Sequence, residues 1–264
     1  MNSTFTYTRG LFRTRRRIKQ SDLLIISDFS QSISSALNSI NHHRFLLENY
    51  LINNPKYQYS LTYKKIDENA PEVMKIANFA AELVNVGPMA AIPGALAELA
   101  VKDMIRNGSL VNLVENGGEI EAVSNRSLNV GIFAGSSILS TKLGFQLMKE
   151  DFPIGIATSS ATVSHAFSFG EADAAIIISD RASIADAVAT AVCNAVKGND
   201  FEASIQAGLE IAETIQYVKS ALIIRGKFVG KIGKLPKLIK FNGDINEFFK
   251  ASLYEILPYN SSIL

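Results

Sequence analysis

A helix that is apolar on nearly every side constrains the fold of this chain more than any other segment. After its first residues, the stretch 184–196 contains only three polar side chains, Asp186, Thr190 and Asn194. An α-helix that is hydrophobic all round lies in the interior of a protein. The segment therefore predicts a core helix that the rest of the chain must cover, with Ser183 as its candidate N-cap.

The rest of the sequence contains the patterns of both helices and strands, and these elements can pack around the core helix. Apolar residues make up 47% of the 264 residues and charged residues 19%, enough for one sizeable core. The short apolar run 174–179 is typical of a central strand, and the runs 110–114 and 120–123 flank a hairpin-like turn. We expect a single domain over residues 1–264, with two structural halves of roughly 1–108 and 109–264.

Charge and cysteine content exclude several classes of protein. A net charge of +1 argues against dedicated nucleic-acid binding, and the single cysteine, Cys193, excludes an internal disulfide framework. No uncharged apolar run approaches the roughly 20 residues of a membrane helix, and the first residues are polar. We therefore expect a cytoplasmic protein that does not enter a membrane.

Two basic segments, 9–19 and 225–240, each carry six cations and no acid. In the first, the alternation of arginines favours a half-exposed strand over an arm that binds nucleic acid. The second is by default a solvated face, and alternatively a basic lip for an anionic ligand that carries phosphate.

The polar stripe on the core helix has two interpretations. Residues four apart on a helix drift by only about 40°, so Asp186, Thr190 and Asn194 share one narrow face. A buried carboxylate costs several kcal/mol unless it is paired or bound to a cation. Asp186 either caps a neighbouring loop, with Thr190 bonded to its own helix, or both side chains hold a hard divalent cation. The small alanines around Asp186 slightly favour the cation.

Two loops and one histidine are further candidates. Asn116-Gly117-Gly118-Glu119 can present backbone N–H groups to an anion, or can simply be a turn. The hydroxyls of Thr158-Ser159-Ser160 can bind phosphate at a strand end, although such clusters are also ordinary loop composition. His165 is a candidate general acid or base, and a structural role is the alternative.

Taken in order, several motifs resemble one known family. They are Gly87-Pro88-Met89-Ala90-Ala91, Glu115-Asn116-Gly117-Gly118-Glu119, the run 154–165 with Thr158-Ser159-Ser160 and His165, Ser168-Phe169-Gly170-Glu171-Ala172-Asp173, and Ala185-Asp186-Ala187-Val188-Ala189-Thr190. This order resembles the uncharacterised protein family related to ApbE, a flavin transferase. The resemblance extends from about residue 21 to about residue 232.

The resemblance implies an α+β fold, ApbE-like and T-fold-like, whose two sheet-and-helix halves pack into one compact unit. ApbE-like enzymes use FAD and Mg²⁺ to attach FMN to a threonine of an acceptor protein. By resemblance, Asp186 and Thr190 hold the metal. His165, the general acid or base considered above, is the candidate catalytic residue from its side-chain chemistry alone. The cofactor-binding residues are then Gly87, Pro88, Met89, Asn116, Gly117, Gly118, Glu119, Thr158, Ser159 and Ser160.

Some positions depart from the family pattern and define a second functional hypothesis. Glu119 stands where an aspartate is usual, Ser160 and Ser164 stand where glycines are common, and the His-Ile-x-Asp-Pro segment of the transferases is absent. A protein with these changes can bind a ligand without the transfer chemistry, as an accessory protein of sulfur or cofactor metabolism. A homodimer is left open.

Overall fold

A computed structural model describes residues 5–132, 140, 142–161, 170–240 and 262–263. The strands are β1 (Thr6–Thr8), β2 (Leu11–Ile18), β3 (Ser21–Ser27), β4 (Val111–Asn116), β5 (Glu119–Ser124), β6 (Leu128–Gly131), β7 (Leu143–Leu147), β8 (Ile154–Ser159), β9 (Ala174–Ser179), β10 (Val218–Arg225), β11 (Phe228–Gly233), β12 (Lys237–Lys240) and β13 (Ser262–Ile263). The α-helices are α1 (Ser30–Asn53), α2 (Glu72–Val84), α3 (Ile92–Arg106), α4 (Ala182–Ala195) and α5 (Phe201–Thr214).

One nine-stranded sheet runs through the molecule in the order β1-β2-β3-β4-β5-β8-β9-β10-β11. All of its neighbouring strands are antiparallel. The predicted hairpin β4–β5 is present, and β10 and β11 form a second antiparallel hairpin. Because β3 pairs with β4, the sheet is continuous across the predicted boundary at 108/109. The division into halves stays a prediction.

The helices cover one face of this sheet. Alternate residues of the strands project towards that face, because side chains of a β-strand alternate between its two sides. Helices α1 and α3 pack on Leu23, Ile25 and Val114, whereas α4 and α5 pack on Ala175 and Ile177 of β9 and on their neighbours in β10. Helix α2 contacts α3 and α4 and forms an outer layer.

A second, four-stranded sheet covers the opposite face, in the order β13-β12-β7-β6. Its Phe145 and Leu147 are fully buried against Ile26, Leu113 and Ile156 of the large sheet. The predicted α+β class, with sheets and helices packed in one compact unit, is therefore confirmed. Strands β1, β7, β12 and β13 were not predicted from the sequence.

None of the α-helices in the described ranges is by itself long and apolar enough to cross a membrane. Within the same described ranges, one pair, Glu72–Val84 and Pro88–Arg106, reaches that length and apolarity when taken together, and it is bent by 108°.

Candidate functional site

The apolar helix predicted from the sequence is α4, which lies on β8 and β9 with Ala182 to Ala189 all buried. Its burial is as expected, but its start is not. Arg181 occupies the N-cap position and makes no side-chain cap, and Ser183 is already the second helical residue. The prediction that Ser183 caps the helix is therefore wrong, and other residues bind the first N–H groups of α4.

Asp186 lies at the contact between α4 and the first turn of α3. Only 7% of the residue is exposed, and its Oδ2 accepts the backbone N–H of Gly94 at 3.0 Å. The first N–H groups of a helix have no partner within that helix, so Asp186 caps α3 from outside. Asp186 is thus a capping residue as one interpretation expected, but it caps the start of a helix and not a loop. Its Oδ1 atom has no hydrogen-bond partner among the described residues.

Glu119 is a second buried carboxylate whose charge interacts with that of Asp186, and we call the two residues the acidic pair. Glu119 is the first residue of β5 and is 9% exposed. Burial raises the pKa of Glu119 well above its ordinary value, and the charge of Asp186 raises it further. Burial likewise raises the pKa of Asp186, although the N–H of Gly94 works in the opposite direction. Two carboxylates in this environment are stabilised by a shared proton or by a cation.

The residues around this pair fit a hard divalent cation in the chemistry of their donors. Carboxylate and hydroxyl oxygens are the ligands that Mg²⁺ prefers, and Mg²⁺ retains several waters or substrate oxygens. Thr190, half-buried, lies one turn beyond Asp186 on the same face of α4. Within the described ranges, no group of three or more His, Cys, Asp or Glu could hold a metal. A cation here would therefore need further oxygens from the backbone or from a ligand.

The predicted glycine turn lies beside the acidic pair. Gly117 and Gly118 connect β4 to β5 with φ values of +78° and +122°, a conformation that glycine adopts without strain. The N–H of Gly117 donates to the carbonyl of Asp22 at 3.0 Å. A Cβ on Gly118 would lie 4.0 Å from the carbonyl oxygen of Thr158, so the backbone here is open. The glycine turn and the end of strand β8 thus lie next to each other at one end of the central strands.

The hydroxyl run Thr158-Ser159-Ser160 ends β8 and continues just past it. Thr158 and Ser159 are consecutive in the strand, so their side chains project to opposite faces of the sheet. Ser159 shares the helix-covered face with Ala157, which packs against α4. Of the two strand residues, Ser159 is therefore the one on the side of Asp186.

Gly87-Pro88-Met89 begins the 3₁₀ turn that leads into α3 and contacts α4. A Cβ on Gly87 would lie 1.7 Å from the carbonyl oxygen of Ser60. The glycine therefore permits a close approach of the chain to itself, and the assignment of these three residues to a cofactor stays a prediction.

The polar stripe of α4 divides between two places. Asp186 faces α3, whereas Asn194, two turns further on, lines a cavity of about 410 Å³ between the ends of α2, α4 and α5. The same cavity is lined mainly by apolar residues such as Leu83, Val86 and Ile211. The described residues therefore do not bring all three stripe residues to one site.

Sequence reasoning missed the residues that cap α4. The Oε2 atom of Glu121 accepts the N–H of Ala182 at 2.7 Å, and the Oε1 atom of Glu98 accepts the N–H of Ser183 at 2.7 Å. Glu98 also binds the guanidinium of Arg181 at 2.9 and 3.0 Å. Burial raises the pKa of Glu121 well above its ordinary value, and the charge of Glu98 adds to the shift. The available signal was the spacing of Glu119 and Glu121, which places both on one face of β5.

Some cations of the two basic segments form ion pairs within the fold. Arg15, in the predicted strand β2, donates to both carboxylate oxygens of Asp22 in the neighbouring strand β3, at 3.0 and 2.7 Å. Arg225 is only 6% exposed and pairs with Glu171, so it does not belong to a solvated basic lip. His165 lies in the stretch 162–169, outside the described residues, and its role stays a prediction.

The fold is that of the ApbE proteins. The structure superposes on the ApbE protein of Thermotoga maritima with a TM-score of 0.53, at 10% identity, covering 82% of this chain and 97% of that chain. It superposes on the apo form of the flavinyl transferase ApbE of Pseudomonas stutzeri with a TM-score of 0.52, at 12% identity, covering 88% and 96%.

The chain belongs to the ApbE-like family described as AbpE bacteria, which matches residues 5–216. The UPF0280 protein of Methanopyrus kandleri is 38% identical over 236 residues, which are 88% of this chain and 95% of that protein. The UPF0280 protein of Methanocaldococcus jannaschii is 37% identical over 231 residues, covering 87% and 93%. The resemblance stated from the motifs is thereby confirmed.

Proposed function

We propose that this protein binds a flavin nucleotide together with Mg²⁺ at the site around Asp186, and that it transfers FMN from FAD to a hydroxyl group of an acceptor. One observation carries the proposal. Asp186 and Glu119 form a buried acidic pair directly beside an open glycine turn. Such a pair is stabilised by a divalent cation, and a cation of this kind binds the diphosphate of a dinucleotide.

The residues of the site take distinct roles in this proposal. The Oδ1 atom of Asp186 and the hydroxyl of Thr190 hold the cation, with the carboxylate of Glu119 beside them. When bound, Mg²⁺ neutralises the charge on the diphosphate and on the phosphate that leaves. Gly118, which has no side chain, and the hydroxyl of Ser159 lie next to this position and contact the phosphates.

The transfer itself requires one bond to form and one to break. The hydroxyl oxygen of the acceptor bonds to the phosphorus of FMN, the diphosphate bond of FAD breaks, and AMP leaves. The hydroxyl proton passes to a base, for which His165 is the candidate because an imidazole can accept a proton near neutral pH. The Pseudomonas stutzeri protein that shares this fold is a flavinyl transferase, and this supports the same class of reaction for the present chain.

Isothermal titration of Mg²⁺ and FAD tests the site, and Asp200 supplies a matched control. Asp200 also caps a helix, since it accepts the N–H of Ala203 at 3.0 Å, but it lies at the start of α5 without a buried partner carboxylate. Asp186→Ala should weaken binding of Mg²⁺ by more than about tenfold and remove the Mg²⁺ dependence of FAD binding. Asp200→Ala should change neither. Equal FAD affinity with and without Mg²⁺ in the unsubstituted protein would refute the metal site.

Chromatography of the nucleotides distinguishes transfer from binding alone. Release of AMP from FAD in the presence of a threonine-containing acceptor supports the transferase. Tight binding of FAD without AMP release supports the second hypothesis, a ligand-binding or accessory protein in sulfur or cofactor metabolism.

We also propose a cytoplasmic setting for this activity. The buried thiol of Cys193 fits a reducing compartment, and FAD and Mg²⁺ are both available there. Fractionation of cells with an antibody to the chain tests this assignment.

A further inference from the structure

A single peptide unit, Pro93–Gly94, is hydrogen-bonded at both ends by side chains from other elements. The amide Nδ2 of Asn116 donates to the carbonyl oxygen of Pro93 at 3.0 Å. The N–H of the same peptide, on Gly94, donates to Oδ2 of Asp186 at 3.0 Å. Asn116 is 3% exposed and Asp186 is 7% exposed. The hydrogen bond from Gly94 to Asp186 is buried, and the one from Asn116 to Pro93 is partly buried. Asn116 and Asp186 are thereby connected through one rigid group.

We propose that Asn116 is a positioning residue that orients the carboxylate of Asp186 through this peptide. Gly94 holds Oδ2, and Oδ1 is left for the cation. The inference rests on the proposed function in one respect, namely that Asp186 binds Mg²⁺. It assigns to Asn116 a role different from direct contact with the nucleotide.

The physical basis is the polarisation of one hydrogen bond by another. A donor at a peptide carbonyl strengthens the N–H of that peptide as a donor, and a shielded environment increases the effect. The N–H of Gly94 also lies in the first turn of α3, where the helix dipole favours a negative charge. Asn116 therefore strengthens the bond that fixes Asp186.

The peptide cannot swing away from this arrangement. The ring of Pro93 fixes the φ angle of that residue, and the peptide belongs to the first turn of helix α3. A Cβ on Gly94 would lie 2.5 Å from the carbonyl oxygen of Ala182, so the backbone of α4 blocks movement on that side. Asn116 also immediately precedes Gly117 and Gly118, so a ligand that binds the glycine turn is linked through Asn116 to Asp186.

Asn112 offers a matched control for a test of this role. It is also buried, on the same strand and the same face as Asn116, and its Nδ2 donates to the carbonyl of Ser109 at 3.2 Å. It lies four residues further from the glycine turn. Both Asn116→Ala and Asn112→Ala remove a buried amide that donates to a carbonyl. Asn112 also accepts a hydrogen bond from the hydroxyl of Ser109, so we expect Asn112→Ala to lower Tm at least as much as Asn116→Ala.

The two variants should differ in metal binding and in amide exchange. Loss of a residue that orients a metal ligand typically lowers metal affinity by about 10- to 100-fold. We expect Asn116→Ala to weaken Mg²⁺ binding by at least about tenfold, and Asn112→Ala to leave it within about twofold. Hydrogen exchange, measured by NMR without metal, should be faster at Gly94 in Asn116→Ala and unchanged there in Asn112→Ala.

A second variant keeps the test decisive if Asn116→Ala does not fold. Asn116→Asp has the same shape, but its carboxylate cannot donate to the carbonyl of Pro93. Weaker Mg²⁺ binding in Asn116→Asp, despite the added negative charge, supports the positioning role. Equal or tighter binding, or unchanged exchange at Gly94, would overturn it. If exchange at Gly94 rises but the unsubstituted protein binds no Mg²⁺, the positioning of Asp186 stands and the proposed metal site is refuted.

Discussion

The contact between α3 and α4 leads to a quantitative prediction for Gly94→Ala. A Cβ at this position would lie 2.5 Å from the carbonyl oxygen of Ala182, 2.6 Å from its carbonyl carbon and 2.8 Å from the Cα of Ser183. Ordinary contact begins at 3.4 Å, so the α4 backbone would have to retreat by about 0.9 Å, the difference between 3.4 and 2.5 Å. All three atoms belong to backbone and cannot rotate away.

The expected cost follows from this geometry. Overpacking of a buried contact costs about 1–3 kcal/mol, occasionally more, and rigid backbone neighbours place this site at the upper end. Alanine is favoured over glycine inside a helix by up to about 1 kcal/mol. We therefore expect Gly94→Ala to lower the free energy of unfolding by about 2 kcal/mol. In a domain of this size, that loss lowers Tm by about 4–8 °C.

Gly208→Ala is the matched control for this measurement. Gly208 is also buried within a helix, α5, but a Cβ there would meet only the ends of side chains, Ile223 Cδ1 at 2.8 Å and Val196 Cγ2 at 2.9 Å. Those methyl groups can move, so the helix preference for alanine offsets most of the crowding. Differential scanning calorimetry of both variants checks the reasoning. A Tm for Gly94→Ala equal to or above that of Gly208→Ala would refute it.

Two further substitutions test the buried charges. In the folded state the pKa of Glu121 is raised above its ordinary value of 4.5, so the native state holds this proton more tightly and loses stability as pH rises from about 4.5 towards the folded pKa. Glu121→Gln keeps an oxygen acceptor for the N–H of Ala182 but does not titrate. The Tm of the variant minus the Tm of the unsubstituted protein should therefore increase between pH 4.5 and 7. A Tm difference that does not vary with pH would contradict this. Arg225→Lys replaces a buried guanidinium that donates to Ser204 Oγ at 2.6 Å and pairs with Glu171. A single ammonium cannot reproduce both contacts, so we expect the free energy of unfolding, measured by chemical denaturation, to fall by about 2–3 kcal/mol. An unchanged denaturation midpoint would show that the two contacts of the guanidinium do not stabilise the fold.

Much of the fold was predictable because its signals are local. The burial of α4 follows from its apolar surface, and the β4–β5 hairpin follows from the pattern of apolar runs around Gly117 and Gly118. The family resemblance then rests on the order of these local motifs. Short strands such as β7 and β12 were not predicted, because four or five residues carry too little periodicity to be distinguished from loops.

The partners in the site could not be predicted in the same way. Asp186 binds a residue 92 positions away, and Glu98 and Glu121 bind residues 85 and 61 positions away. The polar stripe predicted that Asp186 needs a partner, but periodicity within α4 does not reveal which segment supplies it. Strand alternation could have placed Glu121 beside Glu119, whereas the contact with Glu98 depends on how α3 crosses α4.

The pairing of β3 with β4 determines what a shortened version of this protein would expose. In a fragment that ends at residue 108, β3 would keep its buried Leu23 and Ile25 but lose its neighbour on one side. An open edge of this kind, flat and apolar, is a template for association with other chains. The first turn of α3 would at the same time lose Asp186, the acid that binds its N–H group. If the chain is cut at many positions and the soluble fragments are collected, we therefore expect few of them to end between α3 and β4. This holds even though that loop lies at the surface and joins the two predicted halves.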